Sequence, residues 1–101
     1  MPNKNYLKGV RLERKAKAEL EAQGYHVTRA SGSHGLYDLI AVHPDYPVRL
    51  IQIKTSKSSS KLDRMLRAFL KKPPLERAAM EYYRQEMWVW FDKTWWMEST
   101  I

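Results

Sequence analysis

The chain contains no cysteine, so neither disulfides nor a thiolate zinc site can hold its fold together. That absence is compatible with a reducing compartment. No run of about 18 apolar residues occurs, the length a membrane helix needs. The segment Met1 to Lys8 carries charge but has no apolar stretch behind it of the kind that marks an export signal. The expected location is the cytoplasm, or the host cytoplasm for a viral protein. Internal repeats and domain linkers are also missing. Acidic residues are in short supply: 11 Asp and Glu face 18 Lys and Arg, giving +7 and a pI near 9.8. Such a balance concentrates polyanions around a protein, and nucleic acid is the first partner to consider. General solubility is the plainer explanation of the same charge.

What remains is enough for one hydrophobic core. At 101 residues, 44% of them hydrophobic and 29% charged, the chain is expected to form a single domain over residues 1–101, and its mean hydropathy of −0.63 describes a soluble surface. Lys4 to Gln23 is free of proline and rich in good helix formers, with Gly24 as a C-terminal stop. At 3.6 residues per turn Gly9, Leu12, Glu13, Ala16 and Leu20 share a stripe, which sets Glu13 on or beside the buried face. Strands are expected at Tyr25 to Ala30, Leu36 to His43 and Val48 to Thr55, separated by turns at Ser31 to Gly35 and Pro44 to Pro47. Ser56 to Ser60 reads as a loop, and Lys61 to Lys72 as a short basic helix. Pro73 and Pro74 suit the start of a further helix, Leu75 to Gln85. Met87 to Phe91 is a strand, and Asp92-Lys93-Thr94 turns it into Trp95 to Thr100 as a closing hairpin. The plan is α/β: a small mixed sheet flanked by helices, in the order α-β-β-β-α-β(-β), its first three strands an antiparallel meander.

Polar residues in apolar strands carry the functional signal. Asp38 interrupts Gly35-Leu36-Tyr37-Asp38-Leu39-Ile40-Ala41-Val42, where a carboxylate needs hydrogen bonds, a cation or a metal to offset lost hydration. Gln52 and Lys54 share one face of the next strand, so a hairpin brings all three side chains toward one point, and Glu13 can approach from the helix. Phosphodiester hydrolysis explains such a cluster. Asp38 and Glu13 would ligate Mg²⁺, with Mn²⁺ as substitute. The Ile53 carbonyl would add a ligand and Gln52 a neutral amide oxygen, while Lys54 would stabilise the transition-state charge on the phosphoryl oxygens or help deprotonate the attacking water.

These motifs resemble the PD-(D/E)XK nuclease superfamily, and within it the archaeal Holliday-junction resolvases with their viral and bacterial relatives. The matching pieces are Gly9-x-x-x-Glu13-Arg14, Gly24-Tyr25, Arg29-Ala30-Ser31-Gly32-Ser33, Gly35 to Ala41, and Ile51-Gln52-Ile53-Lys54, spanning roughly residues 8 to 56. The resemblance implies a restriction-endonuclease-like fold and a homodimer that cuts branched DNA with Mg²⁺. It implies catalytic roles for Glu13, Asp38 and Lys54, and for Ser31 as a loop serine near the scissile phosphate. Gln52 departs from the pattern, since the family usually carries a second metal-binding carboxylate there.

Each choice has a plainer competitor. Asp38 could be the structural partner of Arg29 or Lys54, Glu13 a surface residue paired with Lys17, Ser31 and Ser33 turn formers, and His34 a solvated turn residue. The basic segment Lys54, Lys57, Lys61, Arg64, Arg67, Lys71 and Lys72 suits phosphate contact without base reading, and Arg14, Arg29 and Ser33 are further candidates for DNA contact; a solvated helix face is the alternative. Trp88, Trp90, Trp95 and Trp96 suit core and dimer interface, or stacking on unpaired bases. Besides a junction-cutting nuclease, two functions fit: a nuclease of the same fold acting on duplex, flap or nicked DNA, and a DNA-binding module whose site decayed at Gln52.

Overall fold

Leu12, Ala16 and Leu20 recur at four-residue spacing and are buried, which fixes the inner face of the first helix, α1 (Lys4–Ala22). Past its last turn Gly24 takes a φ of 92°. Gly24 N–H donates to the Glu21 carbonyl and Tyr25 N–H to the Leu20 carbonyl, the pair of bonds that satisfies a helix end around a left-handed glycine. The structure, a computed structural model, describes residues 4–30, 36–75 and 83–100.

Five strands follow: β1 (His26–Arg29), β2 (Leu39–His43), β3 (Tyr46–Thr55), β4 (Tyr83–Phe91) and β5 (Thr94–Ser99), with α2 (Ser59–Lys71) between β3 and β4. They form one sheet in sequence order, β3 and β4 parallel and every other pair antiparallel. A parallel neighbour requires a crossover, and α2 lies within it. Leu39, Ala41, Ile51, Ile53 and Trp88 pack with α1. Leu62 and Phe69 of α2 pack with Met87 and Val89 of β4. Leu20, Leu39 and Ile51 are fully buried, each contributing about 1.5–3 kcal/mol. The parallel register is pinned by Arg49, whose guanidinium donates to both Glu86 oxygens at 2.6 and 2.8 Å. Glu86 also accepts the Trp88 indole N–H at 2.9 Å. The bond to Glu86 holds the Arg49 guanidinium further toward its charged form. No helix among the described residues is long and apolar enough to cross a membrane.

The expected strand order and both hairpins are present, but several boundaries differ. β3 starts at Tyr46 because Pro44 and Asp45 alone make the turn, with His43 paired to Tyr46. Ser58, read from composition as loop, is the N-cap of α2: its Oγ accepts from Lys61 N–H at 3.2 Å. The helix expected over Leu75 to Gln85 does not reach its predicted end, since Tyr83, Arg84 and Gln85 are strand residues paired with Val48, Arg49 and Leu50. Long-range pairing overrides local helix preference there. The remainder of that segment, 76–82, lies outside the described residues. Asp92 and Lys93 adopt φ of 52° and 61°, the two-residue turn whose twist matches an antiparallel hairpin.

Candidate active site

Leu39 pairs with Ile51, and one step further along the same register Asp38 comes beside Gln52. Here the ladder changes character. Asp38 N–H still donates to the Ile51 carbonyl at 2.9 Å, but Ile53 N–H donates to the Asp38 side chain, Oδ2, at 2.7 Å. A carboxylate has replaced a backbone carbonyl at the end of the pairing. The second oxygen, Oδ1, has no hydrogen bond among the described residues. Asp38 is half-buried, so this bond offsets part of the desolvation that its strand setting imposes.

Tyr37 keeps this corner in place. It is buried, and its hydroxyl donates to Gln85 Oε1 across the sheet. Burial, and then the nearby Tyr83, push the Tyr37 phenol up to about 12. Gln85 is fully buried and exchanges two hydrogen bonds with the Leu75 backbone, at 2.8 and 3.0 Å. Its own N–H donates to Thr100 Oγ1 at 3.1 Å. Gln85 thus joins the residue before Asp38 and the chain after α2 through its side-chain amide, and the residue after β5 through its backbone. Nothing in local sequence marked Gln85 or Tyr37 for this role, because their partners lie far along the chain.

Gln52 and Lys54 project from β3 toward α2 and line one cleft with Met65, Phe69 and Met87. Gln52 Nε2 donates to the Leu36 carbonyl at 2.9 Å, which fixes the amide beside the Asp38 corner. Lys54 is exposed and also lines a second, more basic cleft with Lys8, Lys57 and Lys61. The Asp38 carboxylate and the Ile53 backbone therefore meet at the C-terminal end of β3, with Gln52 held to the Leu36 carbonyl beside them and Lys54 two residues beyond Gln52 in the same strand. Glu13 stands apart from them: on the α1 side it accepts from Arg29 Nε at 3.1 Å, both side chains about one-fifth exposed. Arg29 pairs with Leu39, the neighbour of Asp38, so Glu13 reaches that corner through Arg29. Lys17 pairs with Glu21. Ser31, Ser33 and His34 lie outside the described residues.

Of the residues considered for DNA contact, Arg14 and Arg64 are exposed on the two helices. Arg67 pairs with Asp63 at 3.0 Å in an exposed i, i+4 contact, worth little in water and available to a phosphate. Trp88 is buried, and Trp95 packs edge-on against it and Trp90 at 5.6 and 4.9 Å. Only Trp96 among the four tryptophans is exposed, at 46%.

No group of three or more His, Cys, Asp or Glu occurs among the described residues. The donors near Asp38 are one carboxylate, one amide oxygen and one backbone carbonyl. That set is thin for Ca²⁺, but it suits Mg²⁺, which is commonly held by one or two carboxylates plus substrate phosphates and water.

The family model for the archaeal Holliday junction resolvase, Hjc, matches residues 4–66. Among solved structures, Hjc of Archaeoglobus fulgidus, a Holliday junction resolvase from an archaeal hyperthermophile, aligns with a TM-score of 0.60 at 19% identity, covering 92% of this chain and 73% of that one. At that identity the likeness concerns the fold. A comparison with curated protein sequences finds no match.

Proposed function

We propose, from the premise that this chain belongs to the archaeal Holliday junction resolvase family, that it is a structure-selective endonuclease hydrolysing phosphodiesters in branched DNA with Mg²⁺. The observation that carries this reading is the Asp38 carboxylate bonded to Ile53 N–H at 2.7 Å, which sets it at the end of the strand bearing Gln52 and Lys54. Asp38, the Ile53 carbonyl and Gln52 Oε1 would hold the ion together with the substrate phosphate. When bound, a divalent ion supplies Lewis acidity at the phosphoryl oxygen and lowers the pKa of water. The protein's own contribution is positional. Lys54 places an ammonium beside the phosphate, where negative charge grows in the transition state. Arg29, opposite the neighbour of Asp38, holds the Glu13 carboxylate on the α1 side, and Lys57, Lys61 and Arg64 extend the positive surface for the strand backbone. Ser31, which precedes Asp38 in the sequence, is assigned to the scissile phosphate and Ser33 to the backbone on the family resemblance. Two such sites in a homodimer would cut opposite strands of one junction.

Labelled four-way junctions, flaps and linear duplex, incubated with Mg²⁺, Mn²⁺ or EDTA, test this directly. Paired nicks near the crossover with either metal and none with EDTA are expected. Cutting of linear or flap DNA alone would point to a nuclease of the same fold with another substrate. The fixed Gln52 amide, which leaves the corner one carboxylate short, favours one other outcome, binding without cutting. Lys54→Ala is expected to retain junction binding within about twofold while slowing cleavage about 100-fold or more. Unchanged cleavage would remove Lys54 from the mechanism.

A further inference from the structure

We infer that the lysine-rimmed cleft between the N-terminal half of α1 and the first two turns of α2 seats one unpaired nucleotide of the DNA strand, its phosphates on the rim and its base against the floor. This rests on the nuclease reading above and names the part of the substrate that lies beside Lys54. The cleft has a volume of 480 Å³, within the range of about 300–1,000 Å³ typical of small-molecule sites and larger than a lone phosphate needs. Its rim is Lys8, Lys54, Lys57 and Lys61. All four are exposed, and none is in an ion pair among the described residues. Its floor is Gly9, Leu12, Ile53 and Met65. A duplex presents phosphates on a convex surface and keeps its bases stacked inside, which would leave that apolar floor unused. An unpaired nucleotide offers charge to the lysines and an aromatic face to the aliphatic side chains and the Met65 thioether.

Gly9 points to a ligand independently. Glycine is among the least favourable residues in a helix interior, and a close neighbour is the usual reason for one. Here a Cβ at Gly9 would meet nothing within 4 Å among the described residues, so no described neighbour of α1 requires glycine. The space kept open lies in the floor of the cleft.

Fluorescence anisotropy in EDTA tests this without any cutting step, using a labelled single-stranded oligonucleotide of about 12 nucleotides and the blunt duplex of the same sequence. Gly9→Leu is expected to weaken single-strand binding about tenfold while changing duplex affinity less than about twofold. Its Tm should hold or rise, because leucine favours helix and the site is open. Gly9→Ala should shift binding the same way by less, and it carries the test if Gly9→Leu lowers the Tm. Lys8→Ala should reduce the slope of log affinity against log salt for the single strand by about 0.7. Undiminished single-strand binding by folded Gly9 variants overturns the inference, as does an equal loss on both DNAs. Junction cleavage is measured separately, so a protein that cuts junctions yet ignores the Gly9 substitutions loses the cleft and keeps the nuclease.

Discussion

In the proposed metal site at the end of β3, the amide of Gln52 stands where a carboxylate would double the negative charge facing a divalent ion. A site with one carboxylate depends on the DNA phosphate to complete the ligand set. Gln52→Glu should therefore tighten Mg²⁺ binding to the free protein about tenfold or more, read by calorimetry, and lower the Mg²⁺ concentration needed for half-maximal junction cleavage. The variant also loses the bond from Gln52 Nε2 to the Leu36 carbonyl, at a cost of about 0.5–1.5 kcal/mol. Tighter metal binding with lower stability is the signature; unchanged metal binding would separate Gln52 from the ion. Tyr37, beside Asp38, gives a test in alkaline solution. Its phenol is pushed from 10 up to about 12, so the fold favours the neutral form. That contribution is present below about pH 10 and is lost as pH rises through about 12. Tyr37→Phe should be less stable than the parent at pH 8, through the lost bond to Gln85. Its deficit should shrink between pH 10 and 12, as followed by urea midpoints, and a constant deficit would contradict the assignment.

At the scale of elements, α2 carries the wall shared by both clefts, and its first turn is held by Ser58. Ser58→Ala should cost about 1 kcal/mol through the loss of the cap to Lys61 N–H. Hydrogen exchange should quicken in the first turn of α2 and leave β2 and β3 unchanged; uniform acceleration across the sheet would mean that the cap stabilises more than its helix. The elements that local chemistry specifies were legible in the sequence. α1 announces itself by the Leu12, Ala16 and Leu20 spacing and by Gly24, and the last hairpin by Asp92 and Lys93. β4 was not fully legible, because Tyr83 to Gln85 become strand only by pairing with β3, some 35 residues earlier. The candidate site divides the same way. Asp38, Gln52 and Lys54 stood out as polar residues in apolar strands. The basic cleft did not, since Gly9, Ile53 and Met65 come from three elements that meet only in the folded chain.

For the whole molecule, the partly exposed face of the sheet bears on assembly. α1 packs against one face of β1, β2 and β3, while α2 contacts β4 and β5. On β2, Leu39 and Ala41 are buried toward α1, but Ile40 and Val42, facing the other way, are 37% and 45% exposed. Paired β-branched residues of this kind normally lie against a second layer. A stable dimer needs about 800 Å² from each partner, about a tenth of the 7114 Å² surface of this chain. The face of β1 to β3 opposite α1 is the proposed contact, and it keeps the Asp38 corner of each copy at the end of the strands. Ile40→Lys with Val42→Lys should then sediment as a monomer that remains folded by circular dichroism, because both side chains already reach solvent in the single chain. Such a monomer should still nick a junction but lose the paired cuts on opposite strands, as a plasmid-borne cruciform would report by nicked circles replacing linear product. A double variant that stays dimeric would move the interface elsewhere, to the exposed Trp96 and Met97 edge of β5, where Trp96→Ala would become the deciding substitution.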